Sequence, residues 1–232
     1  MTGLQKTIVA RDNMDKQKMD GFLQKVSGRI STVKIGTELY YRYGRELIDH
    51  IHEKHQMDIF LDLKFHDIPN TVEKTIAVLQ GLPLKFATIH LSGGNTMLKQ
   101  AVKQIKQTLP STRLLGVGIL TSLDMEDIRE MWGMEDMNQC FSRLALLNIK
   151  NQIPGMILSP RELPLIGKME KDTGTSLIKV CPGIRFSTDK QDQKRVATPA
   201  EALKAGADYL VLGRALTESS QLEKRLQELA SL

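Results

Sequence analysis

The chain has 232 residues, 41% hydrophobic and 25% charged, a balance typical of a globular protein long enough to bury a core without disulfides. Its formal charge is +5, but the basic residues are scattered and no arginine-rich arm or basic–aromatic interleaving appears, so nucleic-acid binding is not expected and a small anionic ligand suits the excess better. No apolar run nears the roughly 18 residues of a membrane helix, so no membrane span is expected.

The two cysteines, Cys140 and Cys181, have no metal-type spacing. With an N-terminus that lacks a signal-peptide core, they point to a reducing, cytoplasmic setting.

Strand-like runs are predicted at Thr7–Arg11, Thr32–Ile35, Asp58–Leu63, Phe86–His90, Leu114–Leu120, Gly155–Leu158, Leu177–Val180 and Tyr209–Leu212. Helices are predicted between and after them, at Lys16–Val26, Glu38–His55, Thr71–Leu79, Thr96–Gln107, Met137–Lys150, Pro160–Asp172, Thr198–Ala205 and Gln221–Leu229, with a short extra helix at Asp124–Met131. Regular alternation without hairpin signals implies a parallel sheet. Eight units in 232 residues imply a closed (β/α)8 TIM barrel. A doubly wound open sheet is the other fold compatible with this order. No linker or low-complexity segment interrupts the chain, so residues 1–232 are expected to form a single domain.

The most informative stretch is Asp62-Leu63-Lys64-Phe65-His66-Asp67-Ile68-Pro69-Asn70-Thr71, at the end of the third strand. Strand side chains alternate, so Ile59, Leu61, Leu63 and Phe65 share one face, and Phe60, Asp62 and Lys64 share the other. A carboxylate and an ammonium on a buried strand need compensation. On an exposed edge strand they would be an ordinary ion pair. In a parallel barrel they must point inward near the strand's C-terminal end, where barrel enzymes carry their active sites. The same parity turns Lys34 inward on strand two, and Asp12 inward at the end of strand one. Strand four ends in His90. A structural salt-bridge cluster would explain the pairing of these charges, but not their gathering at one rim.

A second group lies after strands seven and eight: Cys181-Pro182-Gly183-Ile184-Arg185 and Gly213-Arg214. Glycine lets backbone N–H groups approach an anion, and an arginine fork matches phosphate. These two loops are the usual phosphate site of the fold. A metal site built from Asp62, His66 and His90 is conceivable, but the spacing is poor, and histidines that buttress the rim by hydrogen bonding fit better. Trp132 and the eleven methionines read as packing.

From Ile8-Val9-Ala10-Arg11-Asp12 to Gly213-Arg214 the chain resembles the bacterial orotidine 5′-phosphate decarboxylase family. The Asp-x-Lys-x-x-Asp-Ile-Pro-x-Thr string of residues 62–71 is the most specific element. Val33-Lys34-Ile35-Gly36, Leu120-Thr121-Ser122, Pro182-Gly183-Ile184-Arg185 and Arg195-Val196-Ala197-Thr198-Pro199 add to it. The shorter Asp-x-Lys-x-x-Asp is shared with sugar-phosphate enzymes of the same superfamily, of which a Mg-dependent synthase is the alternative reading.

The resemblance implies decarboxylation of orotidine 5′-monophosphate to uridine 5′-monophosphate, the last step of de novo pyrimidine synthesis, with no cofactor and no metal. It implies that Lys34, Asp62, Lys64 and Asp67 form an alternating charge network, with Lys64 stabilising and protonating the C6 carbanion. It further implies a homodimer in which Asp67, Ile68 and Thr71 cross into the neighbour's site. Asp12 and Lys34 would hold the ribose, and Thr121 would touch the pyrimidine. Arg185, Gln193, Gly213 and Arg214 would grip the phosphate, with Gln191 as a second candidate for the glutamine. The polar segment Phe186–Lys194 is expected to act as a closing lid. Three departures stand out: Arg11 where leucine is more usual, a lid about one residue shorter than in close relatives, and Ala215 where proline is common.

Overall fold

A computed structural model describes residues 1–11, 15–186 and 197–232, with the side chain of Arg11 outside the description. Eight parallel strands pair in chain order and close: β1 (Thr7–Arg11), β2 (Thr32–Gly36), β3 (Asp58–Phe65), β4 (Leu84–His90), β5 (Arg113–Val117), β6 (Gly155–Ile157), β7 (Ile178–Cys181) and β8 (Tyr209–Leu212). Closure is direct, since Ile8 of β1 lies opposite Thr32 of β2 on one side and Val211 of β8 on the other. The fold is therefore the (β/α)8 barrel, and the open-sheet alternative falls.

Ten helices surround it among the described residues: α1 (Lys16–Val26), α2 (Thr37–His55), α3 (Pro69–Ala77), α4 (Gly94–Thr108), α5 (Met125–Trp132), α6 (Met137–Lys150), α7 (Leu163–Thr173), α8 (Pro199–Lys204), α9 (Arg214–Thr217) and α10 (Leu222–Ala230). Strand parity decides the packing. Ile8, Ala10, Phe60, Phe86, Leu115, Val180 and Val211 fill the barrel interior. Their alternates, among them Val9, Val33, Ile35, Ile59, Leu61, Ala87 and Ile89, are buried against the helices. Inside, Phe86 meets Phe60 edge-on at 5.8 Å and Tyr209 at 5.1 Å between ring centres, so aromatic rings close the lower half of the barrel.

Four differences from expectation bear on the site or the helix layer. The fifth strand stops at Val117, not Leu120, because its partners run out there: His90 is the last residue of β4 to face it, and Ile157 the last of β6. Leu120 instead accepts a turn hydrogen bond from the Leu123 N–H. The second helix is interrupted at Gly44, whose φ of 63° and ψ of −154° suit glycine better than other residues. The four-residue α9 directly after β8 was not anticipated. The third strand runs on to Phe65, but its ladder with β4 shifts register between Leu61 and Phe65.

Candidate active site

That register shift builds the site. Leu61 faces Ala87 and Phe65 faces Ile89, so β3 spends four residues where β4 spends two. The excess is a bulge containing Asp62 and Lys64, and bulges re-aim side chains at the rims of barrels. Lys64 sits at φ +50°, a left-handed conformation that costs a lysine on the order of 1 kcal/mol. Thr88, fully buried on β4, holds it there. The Lys64 N–H donates to Thr88 Oγ1 at 2.8 Å, and the Thr88 hydroxyl donates to Asp62 Oδ1 at 3.0 Å.

Asp62 is the hub. Its Oδ1 lies 2.9 Å from Lys64 Nζ and its Oδ2 lies 3.5 Å from Lys34 Nζ. The side chains of Lys34 and Asp62 are only 12% and 14% exposed, and that of Lys64 is 38% exposed. Two ammonium groups therefore share one carboxylate in a shielded, inward-facing position.

Asp67 stands apart from this group. Its carboxylate accepts the Ile68 N–H at 2.6 Å, and Asp67, Ile68 and Thr71 are all exposed, Ile68 at 67%. Asp67 and Ile68 form the approach to α3, which begins at Pro69, a favoured helix opener, and Thr71 lies in its first turn.

His66 and His90 pack with ring centres 5.1 Å apart. Ser92 Oγ bridges them, 2.7 Å from His90 Nδ1 and 3.3 Å from His66 Nε2. Burial, then the neighbouring His66 and Lys64, hold the His90 imidazole below its ordinary pKa. A neutral His90 adds no further charge beside Lys64. These contacts are those of rim buttresses.

At the opposite side of the mouth, Gly183 after β7 has φ +74° and is exposed. Ile184 bridges to Ala197, and the Arg185 N–H donates to the Ala197 carbonyl at 3.1 Å. These contacts tie together the two ends of the segment spanning residues 187–196. The half-buried Arg185 also donates from Nη1 to the Ile184 carbonyl at 3.3 Å. Gly213 accepts the N–H groups of Leu216 and Thr217, and Arg214 opens α9 from an exposed position. Since β7 pairs with β8 and β8 with β1, both loops emerge side by side. Thr121 lies exposed in the loop after β5.

Asp12, Gln191 and Gln193 lie outside the described residues, as does all of the expected lid except Phe186. Phe186 is buried, with the Arg225 guanidinium 4.9 Å over its ring.

Sequence reasoning missed Thr88. The signal was present, since it lies two residues before His90 on a strand whose inward set begins at Phe86.

A model of the family described as orotidine 5′-phosphate decarboxylase / HUMPS matches residues 5–229. An orotidine 5′-phosphate decarboxylase of Carboxydothermus hydrogenoformans is 36% identical over 97% of this chain and 96% of its own length. That of Ehrlichia chaffeensis is 39% identical over 87% of this chain and 85% of its own. Among solved structures, the orotidine 5′-phosphate decarboxylase of Lactobacillus acidophilus superposes with a TM-score of 0.83 at 30% identity, covering 98% of each chain. A chain matched across almost its full length by this family model, and by relatives of this identity, belongs to the orotidine 5′-phosphate decarboxylase / HUMPS family.

Proposed function

We propose that this protein is a decarboxylase that converts orotidine 5′-monophosphate into uridine 5′-monophosphate, a step of pyrimidine biosynthesis. The observation that carries this reading is the Asp62 carboxylate held between the Lys34 and Lys64 ammonium groups at the strand ends, in a chain whose full-length relatives bear the name of this activity. The Mg-dependent sugar-phosphate alternative has no observation in its favour.

The reaction breaks the bond between C6 of the pyrimidine and its carboxylate. CO2 departs and the electron pair stays on C6. Lys64 is the group we assign to that pair. Its ammonium stabilises the developing charge electrostatically, then transfers a proton to C6 and is reprotonated from solvent. Lysine suits both tasks, being a compact charge that can release a proton. Asp62 positions the Lys64 ammonium. The bulge and Thr88 fix the backbone from which Lys64 projects. Such fixation supports catalysis, because donors already aimed at the reacting atom need no reorganisation.

Lys34, with Asp12, is assigned to the ribose hydroxyls, and Thr121 to the pyrimidine. Arg185, Arg214 and the backbone at Gly183 and Gly213 are assigned to the phosphate, with Gln193 reaching from the lid. The phosphate is remote from C6, so its binding energy can serve orientation and closure.

A homodimer completes this reading. Asp67, Ile68 and Thr71 would enter the partner's site, bringing a fourth charge to its network. The exposure of Ile68 supports it, since a large apolar side chain beside a charged mouth gains from being covered. Residues 1–232 would act as one domain. Among the described residues no helix is long and apolar enough to cross a membrane. With both cysteines unpaired, a cytoplasmic location fits.

The test is loss of orotidine-monophosphate absorbance with purified protein and no added metal. Lys64→Ala should lower kcat by at least about 10⁴-fold, combining the lower ends of proton-transfer and electrostatic effects, while the circular dichroism spectrum is unchanged. Turnover within tenfold of the parent would sink the assignment of Lys64.

A further inference from the structure

Outside the barrel, between α1 and α2, three side chains converge on one point. Asp20 comes from the second turn of α1, and His50 and His55 from the last part of α2. Asp20 Oδ1 lies 2.9 Å from His50 Nε2 and 2.9 Å from His55 Nε2. The three ligand atoms all lie within 4.8 Å of one another. The two rings stand edge-on at 6.3 Å. This is the one such convergence of three among the described residues, and nothing in the proposed reaction uses it.

We propose that Asp20, His50 and His55 form a binding site for a divalent transition-metal ion of the zinc type. Two imidazoles and a carboxylate are a donor set that zinc takes, with water in the fourth position. The side chain of His55 is 4% exposed and that of Asp20 19%, but that of His50 is 25% exposed. The site is thus walled on one side and open to water and an entering ion on the other.

The second oxygen of Asp20 also has partners. Lys54 Nζ lies 2.7 Å from Oδ2 and His50 Nε2 3.0 Å from it, so His50 spans both oxygens while His55 faces Oδ1. A ligating carboxylate whose other oxygen is hydrogen-bonded is the usual outer-shell arrangement. A ring whose Nε2 proton moves to Nδ1 presents a lone pair to an entering ion.

Zinc with nitrogen and oxygen legs of about 2.0–2.2 Å requires ligand atoms roughly 3.3 Å apart in a tetrahedron. The imidazole nitrogens must therefore draw back from Oδ1 by about 0.4 Å, a movement within reach of side-chain rotation. His55 is the last residue of α2, and Gln56 after it is left-handed, so the ring sits where the helix no longer constrains its neighbours. An ion there would cross-link α1 to α2. Its effect would be on stability rather than on the chemistry at Lys64.

Isothermal titration of the full-length, chelator-treated protein with ZnCl2 tests this. One saturable zinc per chain is expected, with a rise of several degrees in the thermal midpoint when zinc is in excess. The pair His50→Gln and His55→Gln should remove both effects. His52→Gln should remove neither, because His52 Nδ1 is held by the Met57 carbonyl at 3.1 Å, away from the cluster. If the double variant does not fold, His50→Gln alone, at the more open ring, should weaken binding at least tenfold. Cobalt(II) added to the parent should also give the intense visible bands of a low-symmetry, nitrogen-ligated ion. Absence of saturable zinc binding by the parent, or binding undiminished by His50→Gln, would overturn the proposal. Decarboxylase activity is not the readout, so the outcome is separate from that of the proposed reaction.

Discussion

The two ends of the barrel both carry lysines among carboxylates, and they differ in how those groups are arranged. At the N-terminal end, Lys179 lies 3.1 Å from Glu170 and 3.5 Å from Asp208. Lys85 there lies 3.0 Å from Asp58 and 5.5 Å over the Tyr209 ring. Each ammonium has at least one carboxylate of its own. At the C-terminal end, Lys34 and Lys64 share Asp62. Separate pairs close a fold, whereas a carboxylate shared at the mouth ties two ammonium groups to one hub. Burying an ion pair gives little net stability, so the value of the shared group must lie elsewhere.

Charge changes at the two ends should therefore separate activity from stability. The largest effect after loss of Lys64 is expected from Asp62→Asn, which leaves two ammonium groups facing each other without their shared anion. Steady-state turnover of orotidine 5′-monophosphate should fall about 10²–10³-fold, the range seen when one preorganised electrostatic partner is lost. A variant with parental kcat would show that Asp62 is only a structural partner.

Lys179→Met should do the reverse. It leaves Glu170, whose side chain is 17% exposed, without its cation, and should cost about 2–4 kcal/mol of stability, near or just below the range for a broken buried pair. For a chain of this length that is a drop on the order of 5–15 °C in thermal midpoint. At temperatures where the variant is folded, kcat should be unchanged. A matching loss of kcat would mean that the lower end is coupled to the chemistry.

Thr88→Val sharpens the comparison from the middle of the barrel. Valine fills the same space but cannot accept the Lys64 N–H or donate to Asp62. An unsatisfied buried donor costs about 1–3 kcal/mol. If Thr88 only packs, stability falls and kcat holds. If it positions Lys64, kcat should fall by about tenfold or more with little change in KM, and Thr88→Ser should restore most of it.

Thr88 also sits beside the feature that the sequence did not make legible. The barrel could be read because each strand's apolar alternation and each helix's period are local properties. The inward direction of Lys34, Asp62 and Lys64 followed from the same parity. What parity could not supply was the bulge between Leu61 and Phe65, because a register shift is a relation between two strands. Nor could it show that Lys64 is left-handed, since a lysine signals no such preference as glycine would. The Asp20, His50 and His55 cluster was hidden for a related reason. Its members are 30 and 35 residues apart, and no local spacing joins them. Asp67 remained the residue that resemblance alone explained, and its exposure on the isolated chain is consistent with that.

The smallest expected effect is a pH dependence at the rim. Burial, with His66 and Lys64 beside it, lowers the His90 pKa in the folded chain, whereas the unfolded chain should show about 6.5. Between the folded value and 6.5 the unfolded state binds more protons, so stability must fall as pH falls through that window. Below the folded value both states are protonated and the loss levels off. His90 is only partly buried, so the contribution should not exceed about 1 kcal/mol after allowance for solvent screening. His90→Gln keeps a polar side chain near Ser92 and removes the titration. Urea midpoints at pH 7.5 and pH 5.5 should therefore differ less for the variant than for the parent. The comparison must be between proteins, because every other group is present in both and cancels. Equal differences would mean that the fold does not hold the His90 imidazole below its ordinary pKa.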